Sequence, residues 1–134
     1  MSNLSYIQKK YDQALSYADQ AVSYIDRNTD SRKYSIAMIC KANTYLAMAK
    51  SGLAYPLLME IKALSDSFHF QLASNDGELE NDFGFYKYYQ LNNDSKNASR
   101  YLLIALEKSA AEKSTLFQLK YLKELALFYE KQDP

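Results

Sequence analysis

Residues 42–58 read ANTYLAMAKSGLAYPLL, and residues 86–102 read YKYYQLNNDSKNASRYL. Laid over each other at a distance of 44 residues, they put Tyr45 on Tyr89, Ser51 on Ser95, Ala54 on Ala98 and Leu58 on Leu102. Ser65 on Ser109 follows in the same register. A shift of 84 sets Ala14 on Ala98, Tyr17 on Tyr101 and Ala21 on Ala105, and a shift of 40 sets Tyr89 on Tyr129. One register therefore runs through a helix-period segment, a polar turn and the next segment. A helical bundle has no fixed period, whereas an array of stacked hairpins does. The repeated unit is read as a helical hairpin of about 40 residues.

The composition agrees with a helical reading. The chain has 134 residues with 3 Gly, 2 Pro and 13 Tyr. Average usage would be about 7% Gly and about 5% Pro, and a β-rich chain needs such residues in its turns. The length fits one domain, so residues 1–134 are taken together. Charges balance, with 16 Lys and Arg against 16 Asp and Glu. Such a chain has no global electrostatic footprint for nucleic acid or an anionic membrane. No apolar run approaches the ~18 residues that argue for a membrane span. A single Cys closes no internal disulfide, and with a single His it builds no Cys/His zinc site.

Six helices are expected, over about 4–26, 32–50, 53–68, 78–91, 96–111 and 115–131. Asn28-Thr29-Asp30-Ser31 and Asn92-Asn93-Asp94-Ser95 supply the residues that favour caps and turns, and Ser51-Gly52 interrupts the apolar period. Asn75-Asp76-Gly77 is a further turn signal, and Asn75 with Glu78 fits a capping box. Pro56 is tolerated in a first helical turn and costs a hydrogen bond deeper in.

These residues resemble the tetratricopeptide repeat. Its small-residue-x2-Tyr element has counterparts in Ala42…Tyr45 and Ala126…Tyr129, with a variant in Tyr86…Tyr89. Its Ala-x3-large element has counterparts in Ala54…Leu58 and Ala98…Leu102, and more weakly in Ala14…Ala18. Helices of a hairpin cross closely where one offers a small side chain and an aromatic fills the space beside it. The chain departs from the family by having no Trp, Lys41 in a Leu slot, and units longer than 34 residues. The resemblance implies an all-α fold: a right-handed superhelix of antiparallel helix hairpins with Ala54 and Ala98 buried. Tyr11, Tyr17, Tyr45, Tyr89, Tyr101 and Tyr129 are placed at core-facing slots.

The hairpin count is incomplete at both ends. The first helix matches second-helix positions, and the sixth matches a first-helix position. Phe117, Leu119, Tyr121, Leu122, Leu125, Ala126, Phe128 and Tyr129 cover roughly 200° of the sixth helix, whereas one-sided packing uses a stripe of about 100°. A further covering element is expected there, and the chain is read as a segment of a longer protein.

The candidate chemical residues are sparse. Cys40 reads as a core residue, and His69 lacks the partners a catalytic base needs. Asp76, Glu78, Glu80 and Asp82 read as a helix N-terminus rather than a calcium loop. No phosphate loop, nucleophile elbow or HExxH motif is present. No catalytic residue, metal or cofactor is therefore assigned, and the chain is not read as an enzyme.

The resemblance implies an inner, concave face carried by the first helix of each hairpin. In register these positions are Ile36, Ile39, Asn43, Leu46 and Ala47; Glu80, Phe83, Lys87, Gln90 and Leu91; and Lys120, Lys123, Leu127, Glu130 and Lys131. Members that clamp a peptide's terminal carboxylates carry Lys one turn before Asn on a first helix; here Ile39 precedes Asn43, so that clamp is unmatched. The implied function is a non-catalytic scaffold that binds a protein or peptide. Long units and Asn-Asp turns look like the sensor or input regions of bacterial histidine kinases and regulators. The alternative is a self-association module, a homodimer through the last helix. Neither nucleic acid nor direct membrane contact is expected, and cytoplasm and periplasm both remain open.

Overall fold

The polar breaks between apolar-periodic segments divide the chain into helices, and a computed structural model describes residues 3–68, 81–111 and 115–132. Six helices are present: α1 Asn3–Tyr24, α2 Ser31–Ala47, α3 Ser51–Phe68, α4 Asn81–Leu91, α5 Ser95–Ala111 and α6 Thr115–Gln132. No strand occurs among the described residues, so the fold is all-α. The helices fall into two compact units, Met1–Leu72 with α1 to α3 and Ala73–Pro134 with α4 to α6. Within each unit the middle helix packs on the helix before it and the helix after it. This is the pairwise packing of hairpins.

The turns after α2 and α4 are the same structure, 44 residues apart. Ala49 and Asn93 both take φ 59°, the left-handed region. Lys50 N–H donates to the Tyr45 carbonyl at 2.8 Å and Ala49 N–H to that of Leu46 at 3.0 Å. Asp94 N–H donates to Tyr89 at 2.9 Å and Asn93 N–H to Gln90 at 3.2 Å. Each is a Schellman cap, which satisfies carbonyls that a helix end leaves without partners. The backbone thus repeats where the sequence register says it should. The first turn differs from expectation in detail. The break falls at Met48–Lys50 and Gly52 lies inside α3, because Ala49 takes the left-handed position that glycine usually fills.

Pro56 is the sixth residue of α3, beyond the first turn. Its missing N–H would have served the Gly52 carbonyl. Both residues are exposed, so water can serve that carbonyl instead. The α1–α2 turn is shaped by Asp26, not by a side-chain cap from Asp30. The Asp26 carboxylate accepts from Asn28 N–H at 2.8 Å and Thr29 N–H at 3.0 Å. These donors hold its pKa below the ordinary value.

Ala54 and Ala98 are fully buried, as close helix crossing demands. Unit 1 also buries Ile39, Ala42, Leu58, Ile61 and Leu64. Unit 2 is more aromatic: Phe83, Tyr86, Leu102, Ala105, Tyr121, Leu125 and Phe128 surround Ala98. Lys41, the departure at the Leu slot, reaches Asp19 of α1 at 2.7 Å. Arg27 meets Glu60 of α3 at 3.0 Å, and the Tyr34 hydroxyl reaches the same oxygen at 3.4 Å.

Several placements are corrected. Cys40 is exposed, on the side of α2 away from the core. Adjoining protein still desolvates its thiol and pushes the pKa up, so the reactive thiolate is disfavoured. Tyr17 and Tyr129 are 69% and 53% exposed, not core residues. Tyr11 and Tyr45 are half-buried, while Tyr89 and Tyr101 pack against the unit 2 core. His69, the Asn75-Asp76-Gly77 turn, the Asn75–Glu78 box and Glu80 lie outside the described residues.

Candidate binding surface

The candidate face in unit 1 is carried by α2, and much of it turns inward. Ile39 is fully buried and Leu46 nearly so, because α2 is covered by α1 on one side and α3 on the other. These two residues are core, correcting their assignment to a solvent-facing groove. Ile36 and Asn43 are half-buried and Ala47 is exposed.

In unit 2 the register brings α4 and α6 together. Phe83 of α4 is itself buried against Tyr121 of α6, with ring centroids 5.5 Å apart. It is therefore the floor of the face and not a contact residue on it. Two ammonium groups sit over that ring, Lys87 Nζ at 4.9 Å and Lys120 Nζ at 4.7 Å from its centroid. A ring's negative quadrupole attracts cations placed over its face. Phe83 therefore holds one lysine from each helix at one place. Lys123 is exposed beside them, and Leu127 is exposed on the same arc of α6.

Beyond the lysines lies a cavity of ≈ 330 Å³ lined by Gln90, Asn93, Asp94, Ser95, Phe128 and Lys131. Its wall is fixed by the α5 N-cap. Asp94 accepts from Asn97 N–H at 3.2 Å and from the Asn97 side-chain amide at 2.7 Å. Those donors hold the Asp94 carboxyl below its ordinary range. Gln90 and Lys131 were expected on the face, and the structure places both at this cavity. Leu91 and Glu130 are exposed near the same end of their helices.

A link that sequence reasoning missed ties the face together. The Tyr86 hydroxyl donates to Glu124 Oε2 at 3.3 Å, joining α4 to α6. Burial first, then the Glu124 charge, pushes the Tyr86 phenol up to about 12. The two residues are 38 apart, and neither belongs to a local motif. Only the helix register could have suggested their meeting.

With Glu124 engaged by Tyr86, the α4–α6 face presents Lys87, Lys120, Lys123 and Lys131 against Glu124 and Glu130. A surface that is basic, partly aromatic and backed by a packed core can attract carboxylates. Among the described residues no group of three or more His, Cys, Asp or Glu could hold a metal ion. No helix among them is long and apolar enough to cross a membrane. A scan against protein-family models, a search of curated proteins and a search of solved structures each returned no match.

Proposed function

We propose that this chain is a non-catalytic binding scaffold of tetratricopeptide-like hairpins, and that its unit 2 face takes an acidic protein or peptide segment. The observation that carries this reading is the pair of lysines, one from α4 and one from α6, held over the single buried ring of Phe83. Two helices contribute to one basic patch, as the concave face of a hairpin array would require. The partner's carboxylates would meet Lys87, Lys120 and Lys123, and its apolar side chains would meet Leu127. By family analogy alone, such an array would serve as the input region of a bacterial signalling protein, with the output carried by attached domains.

An array of synthetic peptides mixing Asp or Glu with Leu or Phe tests this, read by fluorescence polarisation. Binding should weaken as salt rises, since exposed charges are screened within about 8 Å at physiological ionic strength. The double reversal Lys87→Glu with Lys123→Glu should keep the helical circular dichroism signal and abolish capture. Unchanged capture would remove the face from the function.

A further inference from the structure

The interface between α4 and α5 is a template for a contact between copies. On α4, the Phe85 and Tyr89 rings stack on Tyr101 of α5, with centroids 4.9 and 5.5 Å apart. At the far end Lys108 pairs with Asp82 at 2.6 Å. Moved by 40 residues, the α4 positions Tyr89 and Asp82 become Tyr129 and Leu122 of α6, which are exposed. Moved back by 84, the α5 positions Tyr101 and Lys108 become Tyr17 and Tyr24 of α1, also exposed. The counterpart of Phe85 is Leu125, already buried in the unit 2 core, so α6 displays the two ends of the face that a first helix turns to its partner, and α1 displays the face that a second helix turns back.

The two faces complement one another. Where α4 and α5 have the Asp82–Lys108 ion pair, α6 and α1 have Leu122 and Tyr24, an apolar pair at both halves of the same contact. The aromatic stack would be kept, Tyr129 on Tyr17. The small residue is kept too, with Ala14 at the place of Ala98. At the turn end, Glu130 takes the place of Gln90, while Lys9 and Lys10 take those of Asn93 and Asp94. An acidic group on α6 would therefore face the basic start of α1.

We propose that α6 of one copy docks on α1 of a second copy, forming between chains the hairpin that α4 and α5 form within one. The contact joins two different surfaces, the α6 face of one copy and the α1 face of the other, so each can be blocked separately. It shares only the hairpin register with the proposed function and uses neither Lys87 nor Lys123. Charge reversal at those two lysines should leave it intact.

Sedimentation equilibrium of the 134-residue chain tests it, from about 10 μM to about 1 mM, where weak pairing of this kind is populated. The mass should rise with concentration above that of the 15.4 kDa monomer. Leu122→Glu with Tyr129→Glu blocks one end, and Tyr17→Glu with Tyr24→Glu blocks the other. Each blocked variant alone should stay monomeric, and an equimolar mixture should stop at the dimer. The milder Tyr17→Ser and Tyr129→Ser serve if a charged variant loses its helical signal; each should weaken association by about 30-fold, the scale of a buried aromatic anchor. A wild-type chain that stays monomeric across the range overturns the proposal, leaving these faces to helices of other origin. So does a mixture without dimer, or a variant with α1 blocked that still pairs through α6.

Discussion

Two buried hydroxyls show how differently one polar atom can act. The Ser35 hydroxyl of α2 is fully buried and has no hydrogen-bond partner among the described residues. A hydroxyl in that state has lost its water without recompense. Ser35→Ala should therefore raise unfolding stability by about 1 kcal/mol, read as a higher urea midpoint at unchanged slope. Tyr86 is the contrasting case, buried but donating to Glu124. Its folded pKa, about 12, lies above the ordinary 10.0. The neutral phenol is thus favoured in the folded chain. Its contribution is fully present below pH 10 and is lost as pH rises from there through about 12. The loss should be on the order of 2 kcal/mol. It is obtained as the difference between wild type and Tyr86→Phe in urea midpoints at pH 9.5 and pH 12; parallel behaviour of the two proteins would refute the assignment.

The elements turn on their caps. Asn93 and Ala49 occupy equivalent left-handed positions, but only Asn tolerates that conformation readily. An alanine there brings its Cβ toward the preceding backbone. Ala49→Gly should relieve that contact and stabilise α2 by roughly 0.5–1 kcal/mol, after the greater freedom of glycine in the unfolded chain is subtracted. Thermal unfolding followed at 222 nm checks this, and a lower midpoint would mean that the strain is not there. The same pair shows how far the elements were legible. Asn92-Asn93-Asp94 announces a turn by residue type, whereas Ala47-Met48-Ala49 reads as uninterrupted helix. The Schellman cap at Ala49 becomes visible only through the 44-residue register. All six helices were legible because their apolar residues recur at helical spacing. The C-terminal end of α2 was not, because backbone hydrogen bonds in the turn overrode local propensity. On the candidate face, the register put Lys87 and Lys120 on one side, and both ammonium groups lie over the Phe83 ring. The register named Ile39, Leu46 and Phe83 as surface too, although each is core. A repeat register fixes which way a residue points, but whether another helix covers that direction depends on the rest of the fold.

For the whole molecule the same distinction decides what Tyr17 and Tyr129 do. Both hold the register of Tyr101 and Tyr89, yet both are exposed. Exposed aromatics on two helices are a standing source of association free energy, since removing apolar area from water is favourable. The balanced charge of 16 against 16 supplies no net repulsion to oppose it. If copies dock α6 to α1, folding and association are linked, and the folded state deepens with concentration. Each tenfold rise in protein should add about 1.4 kcal/mol per interface near saturation. For a chain of this length that corresponds to an increase of about 5 °C in the unfolding midpoint. Calorimetric scans at increasing concentrations should therefore show midpoints that climb for the wild type and begin to climb only at about 30-fold higher concentration for Tyr17→Ser and for Tyr129→Ser. Lys87→Glu with Lys123→Glu should climb as the wild type does, because the lysine face lies outside the α6–α1 contact. A wild-type midpoint that does not move with concentration would mean that the two aromatic faces find no partner in another copy.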